Sequence, residues 1–485
     1  MSNWNHQLRD GWELRLYFGE KVSTGFSRLS LSGNVAIEVK TKGQLHHEGN
    51  RVQIRVLDRK DLDVELTVKQ DNVVQGHIFF LAEEFVDNGN LMRPIVKDDV
   101  IIGKLEVGYL IYDSFKHEDD TPLDINLHNV IIGHRGFGAT NRNIMKNSAV
   151  VENTLDSFLC AEVQKTDFVE FDVQLTLDNV PVIYHDLWMQ IKTTDFLGNP
   201  QVLRVPINKL RYDQIKKLKP IVLDHIYYEK RAKQLKEEVS IKVMKQRSFD
   251  EFDMETRRKY EDEIEKAVAQ LLAEEKKTTI YEYKTLDKDD SIEMSKQHTV
   301  GTPHSVIPRF SDLLTKIPDH VGFDIEIKYI NCDLEGKMLG YMERNEYINR
   351  ILEVVFKYGK NRKMFFSSFD ADVITLLRKK QQKYPVLLLT TGTIEKYVTD
   401  SRRHSLVNAI NFAERQKLTG VVSDSIAVMK EPHLVDLAHQ KGLILLTYGA
   451  ENDVMDASKK EYEYGVDSLC TNRVVEIGLK ITNKK

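Results

Sequence analysis

The sequence predicts an α/β protein in which a β-rich, sandwich-like domain precedes a (β/α)8 barrel of the TIM type. Three observations carry this expectation. The chain has 485 residues, too many for one small domain, so two domains are expected. Up to about residue 120 the apolar residues recur with a period of two. From about residue 128 to 480, short apolar runs alternate with longer stretches of helical period, the pattern of βαβ units around a parallel sheet.

In the first region "WELRLYF", "NVAIEVK", "RVQIRVL", "DVELTVK", "GHIFFLA" and "KLEVGYLIY" alternate between turn residues, as half-buried strands do. The pair His46–His47 reads as a solvated loop. "KHEDDTPLD" (116–124) is polar, holds a proline, and makes a linker. Beyond it come the strand candidates "VIIGH", "FVEFDV", "VGFDIEIK", "KMFFSSF", "PVLLLT", "GVVSD", "GLILLTY" and "VDSLCT". Eight such runs in one domain suggest the barrel. "PVIYHD" follows "FDVQLT" after a turn too short for a crossover helix, so it returns as a hairpin outside the barrel count. Residues 226–298 are dense in both charges and break the rhythm. They read as an insertion acting as a solvated spacer, with one helical stripe at Ile264, Val268, Leu271 and Leu272.

The composition, 41% hydrophobic and 29% charged, is ordinary for a globular protein. A net charge of −5 gives no reason to expect nucleic-acid binding. The three cysteines, Cys160, Cys332 and Cys470, imply no disulfide framework. No secretory leader and no run long enough to cross a membrane is evident, so a cytoplasmic location is expected. The oligomeric state is not legible.

Barrel enzymes act at the C-terminal ends of their strands, and chemistry-bearing residues collect there. On the strand "FVEFDV", Glu170 and Asp172 share one face while Val169, Phe171 and Val173 share the other. Two carboxylates so close repel unless something positive lies between them, and a divalent metal suits oxygen ligands. His134 and Arg135 end the first strand, and His185–Asp186 ends the hairpin. Glu326 and Lys328 end "DIEIK" on one face. Three acids, two cations and two titratable rings match the needs of phosphoryl chemistry. Trp188, Phe369 and Tyr448 are aromatic candidates for a quaternary ammonium group.

The ordered set "HRG…ENT…EFDVQLTLDNVPVIYHD…IEIK", closed by "YGVDSLCTN", resembles the glycerophosphodiester phosphodiesterase family over about residues 130–475. "FSSFDADVITLLRKKQQKYPVLLLT" and the upstream β-domain are similar to the cytosolic glycerophosphocholine phosphodiesterase type within it. The resemblance implies a (β/α)8 barrel, with metal ligands Glu170, Asp172 and Glu326 and an acid–base pair His134 and His185. It also implies phosphate contacts Arg135 and Lys328, with Glu152 as the acid partner of Arg135. The cofactor implied is a divalent cation, Mg2+ first and Ca2+ second. The substrate implied is a soluble glycerophosphodiester, glycerophosphocholine first. The alternatives are a lysophospholipase-type lipid phosphodiesterase on the same barrel, or a non-catalytic interaction protein. Tyr448 stands where the family more often carries tryptophan, and the charged insertion is longer than usual. Proteins of the glycerophosphocholine type usually begin with a starch-binding module, whose place would lie before the first residue given, so a glycan-binding role is not expected of this sequence.

Overall fold

The structure, a computed structural model, describes residues 7–18, 21–22, 25–26, 35–48, 51–117, 119, 121–139, 150–194, 200–221, 266, 280–283, 306–329, 342–393 and 400–478. Strands Trp12–Tyr17, Val35–Thr41, Gln44–Glu48, Arg51–Val56, Val64–Gln70, Val73–Phe80, Asn88–Lys97 and Val100–Asp113 form one antiparallel sheet. Asp71–Asn72 and Asp98–Asp99, all with positive φ, make two of its hairpin turns, where the twist favours that conformation. Val52 and Ile54, near one edge, share an apolar cluster with Val64, Leu66 and Val68, near the other. The sheet therefore curls over its own inner face, which gives the sandwich-like packing the alternation predicts. His46 and His47 are not in a loop. They sit on the edge strand Gln44–Glu48, paired with Gln53 and Val52. Alternation was hidden there because an edge strand need not bury either face.

Eight parallel strands close the second domain into a barrel: β1 (Ile131–Gly133), β2 (Phe168–Leu175), β3 (Gly322–Ile327), β4 (Met364–Ser368), β5 (Val386–Thr390), β6 (Gly420–Asp424), β7 (Ile444–Tyr448) and β8 (Ser468–Thr471). β1 pairs with both β2 and β8, which closes the ring. Helices Leu155–Val163, Phe310–Lys316, Arg344–Tyr358, Ala371–Lys380, Leu406–Gln416, His433–Gln440 and Met455–Glu463 follow β1 to β7 in turn. Side chains alternate between two cores. Val169, Phe171 and Val173 of β2 pack outward against the helices, with Ile348, Ile351 and Leu377 in the same cluster. Phe168, Phe365, Leu387, Val422, Leu446 and Cys470 fill the interior.

Pro181–Ile183 returns antiparallel on β2, as a hairpin outside the ring. Beyond it a second small sheet has the order Pro200–Pro206, Trp188–Thr194, Ile280–Tyr283, Leu218–Ile221. The expected spacer is therefore partly built into the fold. Ile280 to Tyr283 form a strand paired with both Gln190–Lys192 and Leu218–Ile221. The rest of 226–298, apart from residue 266, lies outside the described residues, and so do Ile264, Val268, Leu271 and Leu272.

Candidate active site

The period-two pattern of β2 turns Glu170 and Asp172 into the barrel, and β3 does the same for Glu326. In register, Glu170 faces Asp324 and Asp172 faces Glu326 across the two strands. Oxygens of Glu170, Asp172 and Glu326 lie within 4.8 Å of one another, all buried. Lys328 Nζ reaches over them, 2.5 Å from Glu326 Oε1 and 3.1 Å from Asp172 Oδ1. Burial raises the Glu170 carboxyl well above its ordinary value, and Asp172 and Glu326 add to the effect. Burial would raise Asp172 too, but the charges of Lys328, His185 and Arg135 outweigh it and hold Asp172 ionised. One carboxylate of the trio is thus poised between charge and proton.

The turn after β1 aims two groups at this trio. Arg135 adopts a left-handed φ of 50°, followed by Gly136 at 89°. Such strain at a non-glycine residue persists only where surrounding contacts hold it. Here the Arg135 N–H donates to Glu170 Oε2 at 2.8 Å. Its guanidinium donates to Glu152 Oε1 at 2.5 Å, while Nε stands 3.9 Å from Asp172 Oδ2. The three residues of "ENT" divide the work. Glu152 holds Arg135, and Asn153 donates to Asp172 Oδ2 at 2.8 Å. Thr154 caps helix Leu155–Val163 by accepting from the Ser157 N–H.

His134 is tied in place from the far side of the ring. Asn472, just past β8, donates its amide to Asp453 at 2.8 Å. Its Oδ1 accepts from the Ala139 N–H at 2.8 Å and faces His134 Nδ1 at 2.7 Å. That oxygen can only accept, so His134 carries its proton on Nδ1. Nε2 is left as a lone pair, 3.9 Å from Glu170 Oε2. Burial first, then Arg135, pulls the His134 pKa down to about 3, so the ring is neutral at physiological pH. We expect Asn472→Ala to lower kcat about tenfold, because the ring loses the partner that fixes its tautomer. A wild-type kcat in that variant would show that the contact does not matter.

His185 ends the hairpin and pairs Nδ1 with Asp186 Oδ1 at 2.7 Å. Gln174 fixes this corner by donating to the carbonyls of Tyr184 (2.7 Å) and Asp186 (2.9 Å). The His185 charge acts on both Asp172 and His134. Tyr448, at the end of β7, meets Phe369 edge-on with centroids 6.0 Å apart, and its OH donates to the Thr390 carbonyl. Phe369 has Lys328 and Arg403 near its ring, at 5.9 Å and 5.5 Å. Trp188 opens the second sheet, opposite Pro206, and is partly exposed. Ser367 donates to Asp324 and Ser368 to the Ile327 carbonyl.

Three site residues were not singled out from sequence: Asp324, Asn153 and Asn472. Asp324 was legible, since it obeys the same period-two rule as Glu326. It is buried, bonded to Ser367 at 2.7 Å, and raised well above the usual carboxylate range by that burial. The two asparagines lie within the quoted strings "ENT" and "YGVDSLCTN", but nothing in their spacing pointed to a role.

The trio meets the requirements of a divalent cation. All three donors are hard oxygens. Glu170 Oε1 is buried without a hydrogen-bond partner among the described residues, a costly state unless something positive binds it.

The chain matches the pattern of the "Glycerophosphoryl diester phosphodiesterase family" over residues 134–476. It is 32% identical over 412 residues to a glycerophosphocholine phosphodiesterase of Candida albicans, covering 82% of this chain and 33% of that one. A protein of the same name from Eremothecium gossypii is 30% identical over 408 residues, covering 81% and 29%. One from Mus musculus is 27% identical over 452 residues, covering 87% and 57%. The chain thus spans about a third of the fungal relatives and just over half of the mouse one. The match runs through His134, the acidic trio and Lys328: the chain belongs to the glycerophosphoryl diester phosphodiesterase family.

Proposed function

We propose that this chain hydrolyses glycerophosphodiesters, with glycerophosphocholine as first substrate and choline and glycerol 3-phosphate as products. The observation that carries this reading is the buried trio Glu170, Asp172 and Glu326, flanked by two histidines, one held at Nδ1 by a neutral amide oxygen and the other by a carboxylate. The named activity of the relatives supports the choice of substrate.

The trio would hold a divalent cation, magnesium first and calcium second, which when bound supplies charge stabilisation for phosphate oxygens. Lys328 and Arg135 add positive charge beside Asp172, one at each carboxylate oxygen. His134, neutral with a free Nε2 lone pair, accepts the proton of the attacking hydroxyl. That hydroxyl is water's, giving glycerol 3-phosphate directly, or the neighbouring glycerol hydroxyl, giving a cyclic phosphate that water then opens, with His185 taking the water's proton and His134 returning its own to the released glycerol oxygen. His185 donates the proton to the departing choline oxygen as the P–O bond breaks. The Asp186 carboxylate holds Nδ1 of that ring and so fixes its orientation.

The test is choline release by purified protein, with and without magnesium, against glycerophosphoethanolamine and glycerophosphoinositol as rival diesters. Magnesium-dependent release supports the reading. No release from any diester, with hydrolysis of lysophospholipids instead, moves the activity to the lipid class. Silence with both classes leaves a non-catalytic protein.

Headgroup preference has a candidate in Trp188. Phe369 already has two cations near its ring, which makes it a poor cage for a third, and the Tyr448 hydroxyl is tied to Thr390. Trp188→Ala is expected to raise KM for glycerophosphocholine about fivefold, the worth of a cation–π contact, and to spare glycerophosphoglycerol. An equal change for both substrates would remove Trp188 from the headgroup site.

A further inference from the structure

Among the residues where the β-domain meets the barrel is Arg344, the first of helix Arg344–Tyr358. Its guanidinium is buried and donates on two sides. Nη1 bonds Asp87 Oδ2 at 2.6 Å and Asn88 Oδ1 at 2.8 Å, both from the β-domain. Nη2 bonds Asp370 Oδ2 at 2.7 Å, at the end of β4. Asn88 also donates to Asp372. The next residue repeats the grip. Asn345 donates to the Ile111 carbonyl at 2.9 Å and accepts from the Asp113 N–H at 3.1 Å. Asp87 itself holds a left-handed φ of 60°. A forked, charge-assisted set of this kind fixes orientation as well as distance.

The grip leads to the acidic trio by continuous contact. The Arg344 Cζ lies 4.4 Å over the Tyr329 ring. Tyr329 meets Tyr347 edge-on at 5.1 Å. Tyr347, one turn into the same helix, donates its hydroxyl to the Lys328 carbonyl at 2.7 Å. Lys328 is the residue whose Nζ bridges Asp172 and Glu326. Tyr347 is fully buried and Tyr329 nearly so. Little slack exists in a path packed this closely.

We propose that Arg344 is a positioning residue for Lys328, and that the β-domain, through Asp87 and Asn88, is a working part of the site rather than an appended module. Arg344 touches neither the acidic trio nor Lys328 Nζ in this arrangement; it sets the backbone from which Lys328 reaches. The proposal rests on the role given to Lys328 above, but its test does not depend on turnover alone.

Arg344→Gln leaves Asp87, Asp370 and Asp372 facing one another and is prone to misfold. Asp87→Asn and Tyr347→Phe are gentler, since each keeps its shape. They are made in the full chain, alone and in a Lys328→Gln background. Each is read by kcat and KM for glycerophosphocholine and by Mn2+ affinity in calorimetry. We expect each single variant to lower kcat and Mn2+ affinity about tenfold, with KM nearly unchanged. Both effects should vanish once Lys328 is gone, because two changes on one path do not add. Effects that multiply undiminished in the Lys328→Gln background would overturn the proposal, as would wild-type kcat and Mn2+ affinity in the single variants. A chain inactive on every diester would defeat the proposed function, while the Mn2+ arm would still decide the positioning role.

Discussion

His134→Ala is expected to cut turnover of glycerophosphocholine by about 10²–10⁴-fold, the worth of a general base. The ring is held with its Nδ1 proton on Asn472 and its Nε2 lone pair beside Glu170. It cannot serve as an acid in that state, since it has no second proton to give. His185→Ala should cost a similar factor for choline, a poor leaving group. The two variants separate when the leaving group is changed. With a nitrophenyl phosphodiester the departing oxygen needs no proton, so His185→Ala should recover most of its loss and His134→Ala should recover little. The assignment fails if His134→Ala is the variant rescued, or if it retains more than a tenth of wild-type turnover.

Glu170→Gln should abolish metal-dependent turnover and, in metal-free protein, raise stability. The carboxyl sits with Asp172 and Glu326 in a buried cluster, with one oxygen lacking a hydrogen-bond partner among the described residues. Neutralising it removes repulsion worth about 1 kcal/mol, or roughly 1 °C in Tm for a chain of this length. The pH dependence has a definite sign. Burial, then Asp172 and Glu326, raises the folded-state pKa of Glu170 above its ordinary 4.5. The native state therefore binds the proton more tightly, and the Glu170 contribution to metal-free stability falls as pH rises from about 4.5 upward. Glu170→Gln should flatten that fall. Magnesium should reverse the ranking, since a ligand at 100 times its Kd adds about 2.7 kcal/mol to the wild type. Thermal melts of both proteins across pH, with and without magnesium, check this. A variant less stable than wild type in metal-free buffer at neutral pH would refute the strain.

Much of the site was legible because strands impose a period of two. "FVEFDV" and "GFDIEIK" each declare which residues share a face, and the structure turns Glu170, Asp172, Glu326 and Lys328 together as that rule requires. The hairpin was legible from loop length alone, and so was the return of His185 beside the strand that carries the acids. Asp324 obeyed the rule and was passed over. His46–His47 misled, because an edge strand with both faces wet has no alternation to read.

The chain by itself determined the two-domain order, the barrel, the paired faces and the acidic trio. All of these follow from side-chain direction along a strand and from the lengths of the links between strands. Only the tertiary structure decided which proton His134 carries, since Asn472 lies 338 residues away and meets it only when the ring closes. It alone decided that Asp87 and Asn88 grip Arg344 across more than 250 residues, and that residues 280–283 join a sheet begun at Trp188. Local sequence sets the direction of each side chain. What it meets there depends on closure of a barrel, and the contacts made on closure leave no periodic mark on the chain.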